Sequence, residues 1–397
     1  MRILAITQMY PRPGNEGFAT FNAHQFRELA KIHEVRVLCP VPWTKRFGGD
    51  AGDWLRPHRY LNRDGIWVEH PTYFFTPKLF EHYYGHFYLW SVRRAVRRTA
   101  REFCPDIILS SWAHPDGWAA VQMGREFGLP VVIKVIGSDV LVVTKNVSRR
   151  NKVAEALRGA DAGVAVSQDL ADHVMQLGAS PDRVLVVPEG VDKELFSPGD
   201  QAVARARLKL PSEGKRVLFV GNLLFSKGVG VLLEACDLLR RRGLNFCCDL
   251  VGKGRDEASL RAMANRLRLS EIVRFAGVFP QAQLCDWYRS SDLLVLPSFS
   301  EGIPNVLREA MMCGRGFVAT KVGGIPEITD ESVGRLVEVG NPYELAEAIK
   351  CVLSQPFVVS REFALKVNLS WAQSAMLLSE LLTLVKQRHR PPPAPAL

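Results

Sequence analysis

Short runs of Val, Ile and Leu recur at Arg2 to Thr7, Val35 to Cys39, Asp106 to Ser110, Val131 to Val135, Ala162 to Val166 and Val184 to Val187. They are too short for helices and apolar at consecutive positions, as in strands buried on both faces. Between most of them lie loops or helical patterns, such as Phe21 to Ile32, which places Phe26, Leu29 and Ala30 on one face. This alternation predicts a parallel sheet covered by helices. A turn-rich passage follows, from Pro188 to Asp200, and the pattern then restarts. Further strands are predicted at Arg216 to Val220, Phe246 to Val251, Val273 to Ala276, Leu293 to Leu296 and Gly316 to Thr320. The chain therefore reads as two α/β domains, residues 1–195 and 196–369, facing across a cleft. A C-terminal helix at about 370–388 is expected to pack back on the first domain, and 389–397 is a proline-rich tail.

Composition adds limits. The 397 residues, 47% hydrophobic and 9% aromatic, exceed one ordinary core and suit a soluble globular protein. Polar Thr7 and Gln8 interrupt the first apolar run, so it reads as a strand and not a secretory signal. No stretch of about 18 apolar residues is free of charge, so a cytoplasmic protein is expected. The eight cysteines show no zinc-type spacing and read as reduced, mostly buried thiols. A net charge of +10 favours an acidic partner: a nucleoside diphosphate, an anionic bilayer or nucleic acid. No nucleic-acid motif accompanies it, and nucleic acid is not the expected partner.

The densest chemistry lies at Pro297 to Ala310. A predicted strand ends at Leu296, a loop holds Glu301 and Gly302, and Pro304 suits the first turn of a helix because it lacks an amide hydrogen. Free amides and a partial positive charge at such a terminus can hold a diphosphate. Glu301 and Glu309 then address hydroxyl groups on either side of it, a sugar and a ribose. The competing reading is a pair of solvated helix-end charges. Lys227, between the strand ending at Val220 and the helix predicted at Val229 to Arg240, supplies a mobile positive charge for phosphate, or is a surface lysine. Gly252 and Gly254 end another strand, where a planar base could lie against backbone, or are turn residues.

Together these strings resemble the donor domain of family-4 retaining glycosyltransferases of the GT-B fold. They run in family order: VGNLLFSKG at 220–228, LVGKG at 250–254, VRFAGVFP at 273–280, DLLVLPSFSEGIPNVLREAMMCG at 292–314 and ATKVGGIPEI at 319–328. The resemblance covers roughly 215–330. It implies a nucleoside-diphosphate sugar as co-substrate, no other cofactor and no metal. It assigns the ribose to Glu309, the transferred sugar to Glu301, the diphosphate to Lys227, and the sugar and distal phosphate to the amides of Gly302, Ile303, Pro304 and Asn305 as a segment, proline lacking the hydrogen.

The chain departs from the family pattern in places. Asn222 stands where the family usually has an arginine paired with the lysine, which throws more of the phosphate charge onto Lys227 and helix dipoles. Arg315-Gly316 replaces a small residue and proline. In the first half the family histidine position is Ile136, four positions after Val132 and just before Gly137-Ser138-Asp139. His114 could take that histidine's part or be a packing residue. Asp139 could orient an acceptor hydroxyl or cap a helix. Gly17 matches a family glycine near the donor phosphate, or is a flexible loop residue.

Phe80 to Arg101 interleaves aromatic residues with five arginines, as on a helix that meets anionic lipid headgroups, or one with an aromatic core side and a solvated basic side. The expected activity is retaining transfer of a sugar to a hydroxyl of a saccharide or lipid-linked acceptor, in polysaccharide or cell-envelope glycan synthesis, with possible peripheral association with anionic membrane. The alternative is a non-catalytic nucleotide-sugar or glycan-binding protein of the same fold, which Asn222 and Ile136 motivate.

Overall fold

A computed structural model describes residues 1–12, 14–46, 59–61, 64–77 and 80–389. The proline-rich tail beyond 389 lies outside the described residues. The chain divides into two compact units, Met1–Gly190 with Trp371–Leu397, and Val191–Ser370.

The first unit is built on an eight-stranded sheet. From one edge its strands are Val184–Val186, Ala162–Ala165, Val131–Val135, Ile107–Ser111, Arg2–Ile6, Glu34–Leu38, Trp67–Glu69 and Arg59–Leu61. All neighbours are parallel except the last pair. The consecutive apolar residues serve two cores. Leu4, Ile6, Ile108 and Ile133 pack on one face with Tyr88, Val92 and Val96 of the helix Tyr84–Phe103. Ile3, Ala5, Ile107, Leu109 and Val132 pack on the other, with Phe26 and Leu29 of the helix Thr20–Ala30. A strand's side chains alternate between faces, so a run without polar interruption requires cover on both.

The C-terminal helix Trp371–Arg388 provides part of that second cover through Ala375, Leu378, Leu381, Leu382 and Val385. Its Ser374 hydroxyl donates to the Pro188 carbonyl at 2.6 Å and accepts from Gln25 at 2.9 Å. Gln25 also accepts from the fully buried Lys134 ammonium at 2.8 Å, which in turn reaches Glu189 at 3.1 Å. A lysine within a central strand is otherwise costly to bury; ion pairing and neutral acceptors compensate it.

The second unit holds a six-stranded, all-parallel sheet in the order Val273–Gly277, Phe246–Val251, Lys215–Val220, Leu293–Leu296, Phe317–Thr320 and Gly334–Val337. The order reverses direction between Lys215–Val220 and Leu293–Leu296, a topological switch point of the doubly wound α/β fold. Helices Val229–Arg241 and Pro342–Ser354, among others, cover the sheet. The departure Arg315-Gly316 has a packing reason here. A Cβ on Gly316 would stand 2.3 Å from the Phe357 ring, and Arg315 donates to the Arg289 carbonyl at 2.8 Å.

The strand Gly334–Val337 was not legible as an apolar run because Gly334 and Arg335 interrupt it. The strands Arg59–Leu61 and Trp67–Glu69 likewise carry Arg59 and Glu69. Among the described residues, no helix is long and apolar enough to cross a membrane.

Candidate functional site

In the second unit the loops after the C-terminal ends of four strands interlock in two pairs. Gly252 has φ 139°, and a Cβ there would lie 1.9 Å from the Gly221 carbonyl oxygen. At Gly254 a Cβ would meet the Leu223 carbonyl oxygen at 2.2 Å. The close approach that makes these residues glycine is thus that of the loop 221–223. Gly323, at φ 53°, is held the same way: its Cβ would fall 1.9 Å from the Glu301 carbonyl oxygen. The Gly302 carbonyl accepts from the Gly324 amide at 2.8 Å, which pins the 301–302 segment from behind.

On this frame the short 3-10 turn Phe225–Lys227 presents Lys227, whose ammonium donates to the Glu301 carboxylate at 2.7 Å. The lysine side chain is 28% exposed and the glutamate 10%, so the pair is shielded but reachable. Asn222 is exposed in the loop before it. Pro304 occupies the cap position, one residue before the helix Asn305–Met312, instead of its first helical residue. No side chain caps this helix. Ile303 is half-buried and Gly302 buried just ahead of it.

Glu309 sits inside that helix, 8% exposed, and accepts from the Tyr288 hydroxyl at 2.6 Å. Burial pushes its carboxyl up to about 7, against the opposing effects of the Tyr288 hydrogen bond and the nearby Arg308. Tyr288 is itself fixed edge-on against Phe196. Arg308, buried beside Glu309, donates to Asn368 at 2.8 Å and to the Asn305 side chain at 3.4 Å. The sequence reading missed Tyr288 and Arg308, because their partners lie 21 and 60 residues away and no local spacing reveals them.

In the first unit, the strand Ile107–Ser111 ends in a constrained turn. Trp112 has φ 127°, a conformation costing a non-glycine residue about 1–3 kcal/mol. Bonds from its amide to the Lys134 carbonyl and from the Gly117 amide to its own carbonyl, both 2.9 Å, hold it there. His114 follows, 3% exposed, with neither ring nitrogen hydrogen-bonded. Burial, then the charges of Arg149 and Lys152, lower it to about 3, so the ring is neutral. Gly85 is required beside it, since a Cβ would stand 2.8 Å from the ring Nε2.

Asp139 is fully buried on the short helix Ser138–Leu141. Its carboxylate accepts from the amides of Gly137 at 3.0 Å and of Ile136 and Ala113 at 3.1 Å. It ties the turn at Ala113 to the end of the strand Val131–Val135. The Ile136 side chain is half-buried. Gly17 lies exposed in a turn where a Cβ would meet nothing within 4 Å. Asp116, which the sequence reading did not select, is fully buried and accepts from the Gln8 amide at 3.0 Å, the Gln8 side chain at 3.2 Å and the Tyr88 hydroxyl. Burial raises it to about 7.

A cavity of about 380 Å³ opens beside this turn, entirely within the first unit. His114, Trp112, Tyr84, Arg12 and Arg149 are among its walls. The structure thus gathers Lys227, Glu301, Gly302 to Asn305 and Glu309 around one helix start in the second unit. It places His114 and Asp139 together in the first.

Two units, each built on a doubly wound and mostly parallel sheet with ionisable groups in loops at strand ends, have the architecture of the GT-B class. Solved structures agree on the fold: sucrose-phosphate synthase from Thermosynechococcus elongatus superimposes with a TM-score of 0.80 at 19% identity, covering 97% of this chain and 99% of that one. Anabaena HepE in complex with UDP gives 0.74 at 21% identity, covering 97% and 100%. Residues 16–190 match the glycosyl transferase 4-like domain and 214–355 the glycosyl transferases group 1. The chain belongs to this family of group 1, family-4 glycosyltransferases. It is 30% identical over 363 residues to the putative teichuronic acid biosynthesis glycosyltransferase TuaC of Bacillus subtilis, covering 88% of each. It is 34% identical over 264 residues to the D-inositol 3-phosphate glycosyltransferase of Frankia alni, a match covering 62% of this chain and 65% of that protein, less than two thirds of its length.

Proposed function

We propose that this glycosyltransferase moves a hexosyl group from a nucleoside-diphosphate sugar to a hydroxyl of a saccharide or lipid-linked acceptor, with retention of configuration, in polysaccharide or cell-envelope glycan synthesis. The observation that carries the reading is the Lys227–Glu301 contact at 2.7 Å, ahead of the uncapped helix that bears Glu309. Solved relatives of the same fold were captured with UDP and UDP-glucose, which supports a nucleotide-sugar donor.

Lys227 binds the diphosphate and exchanges its Glu301 partner for phosphate oxygen as donor arrives. Glu301 then accepts hydrogen bonds from the transferred sugar, and Glu309 from the ribose. The Gly302 to Asn305 segment brings backbone amides and the positive end of the helix to the sugar and distal phosphate. As the bond from the anomeric carbon to the diphosphate oxygen breaks, negative charge grows on that oxygen, where Lys227 stabilises it. The acceptor oxygen bonds to the anomeric carbon on the same face, and its proton passes to the departing phosphate oxygen. With this positive charge supplied by the chain, no metal or further cofactor is required.

In the first unit, His114 serves as a neutral hydrogen-bonding group towards substrate, and Asp139 holds the turn that carries it. A cytoplasmic location follows from a nucleotide-sugar donor. Peripheral contact with anionic membrane draws support from Trp90, 76% exposed, and from Arg94 and Arg101 on the same helix, which make no ion pair among the described residues. Arg93 and Arg97 are instead held by Glu126, and Arg98 by Glu69, so the basic face is weaker than the sequence implies. Incubation with a panel of nucleotide sugars and saccharide acceptors tests the proposal. Acceptor-dependent release of nucleoside diphosphate supports it, and donor binding without release under every acceptor contradicts it.

A further inference from the structure

Among the described residues, the charge lining the cavity of the first unit is one-sided. Arg12 and Arg149 are the charged side chains there at neutral pH, and no carboxylate of those residues lines the wall. The two acidic side chains closest in sequence to His114 and Ile136 are turned inward. Asp116 is occupied by Gln8 and Tyr88, and Asp139 by three backbone amides. His114 stays neutral, so it adds no charge.

Both guanidinium groups are steered by aromatic rings. Arg12 lies over Phe18, 5.0 Å from the ring centre, and Arg149 over Tyr84 at 5.9 Å. Arg12 makes no ion pair among the described residues. Phe18, Phe75, Tyr84 and Trp112 supply apolar faces against which a sugar ring can stack. A volume of about 380 Å³ accommodates a substituted monosaccharide.

We infer that this pocket receives an acceptor saccharide bearing an anionic group, a phosphate or a carboxylate, gripped by Arg12 and Arg149 against the aromatic wall. The inference rests on the reading of the chain as a transferase to a saccharide acceptor and adds the acceptor's chemical class. Guanidinium suits both anions, because its planar fork makes paired hydrogen bonds to two oxygens at once.

Isothermal titration of the full chain, with UDP and GDP both present in excess to occupy the donor site, would compare N-acetylglucosamine 1-phosphate, glucuronate and uncharged N-acetylglucosamine. At least one anionic sugar should bind about tenfold or more tightly than the neutral one, and the tighter of the two identifies the source of the charge. Arg12→Gln and Arg149→Gln should each remove most of that preference. Arg12 lies in a surface loop, so its variant remains informative if Arg149→Gln fails to fold. Equal binding of neutral and anionic sugars, or an unchanged preference in Arg12→Gln, would overturn the inference. Binding of UDP or GDP alone, measured in parallel, separates the two levels. Nucleotide binding without anion preference sinks only the acceptor class, and anion preference without nucleotide binding sinks the donor reading.

Discussion

Replacing Glu309 with Gln should make the protein more stable at neutral pH while weakening its hold on the donor. In the fold the carboxyl is 8% exposed and its ordinary value of 4.5 is raised to about 7, with burial the leading cause. The acid is therefore protonated in the folded chain and ionised in the unfolded chain between these values. Unfolding then releases a proton, so stability is full below about 4.5 and falls as pH rises towards 7. A shift of about 2.5 units corresponds to about 3 kcal/mol, at roughly 1.4 kcal/mol per unit.

Glutamine has no charge to bury, and its carbonyl can still accept the Tyr288 hydroxyl bond that spans 2.6 Å in the parent. Urea unfolding of parent and variant at pH 5 and pH 8 measures the effect. The variant should gain up to about 3 kcal/mol relative to the parent at pH 8, and little at pH 5. Asp116 is raised to about 7 as well, but it is common to both proteins and cancels in the difference. An identical pH dependence in parent and variant would refute the reasoning. Stability retained at a functional site's expense is the familiar direction of such trades.

Other perturbations probe different parts of the site. Lys227→Ala should lower kcat about 100-fold or more, as removal of a group that stabilises leaving-group charge does, with only about 1 kcal/mol lost in urea unfolding because its pair with Glu301 is partly solvated. Tyr288→Phe should cost about 1–2 kcal/mol and raise the apparent pKa of Glu309 further, visible as a shift in the pH dependence of donor affinity. Gly323→Ala, whose methyl group would meet the Glu301 carbonyl oxygen at 1.9 Å, should destabilise by more than about 1 kcal/mol in the same unfolding assay. Sedimentation with vesicles should show binding that depends on anionic lipid and falls in Trp90→Ala with Arg94→Gln; binding unchanged by either would remove the membrane reading.

The strand runs were readable because sheets covered on both faces favour mostly apolar sequence; Val131–Val135 and Phe246–Val251 have the predicted limits although each carries one buried, ion-paired charge, Lys134 and Asp249. Arg59–Leu61 and Gly334–Val337 escaped because they are edge strands, which tolerate polar residues, and Trp67–Glu69 because it is three residues long and ends on Glu69, which is buried against Arg98. Lys227, and Glu301 with Glu309, could be selected from sequence because each setting is a local strand, loop and helix start: after Val220 for the lysine, and after Leu296 for the glutamates. Their immediate partners could not. The Tyr288–Glu309 and Gln8–Asp116 bonds join residues 21 and 108 positions apart, brought together only by the folded sheet. Gly252 and Gly254 were visible as glycines, but the loop at 221–223 that requires them was not.

The most direct measurement follows one turnover from donor to product. The protein is mixed with a nucleotide sugar and an acceptor saccharide, and nuclear magnetic resonance reads the anomeric configuration of the new linkage as nucleoside diphosphate accumulates. The account predicts one diphosphate released per sugar transferred, with the product keeping the donor's anomeric configuration and Lys227→Ala nearly silent. An inverted linkage, or full turnover in Lys227→Ala, would contradict it.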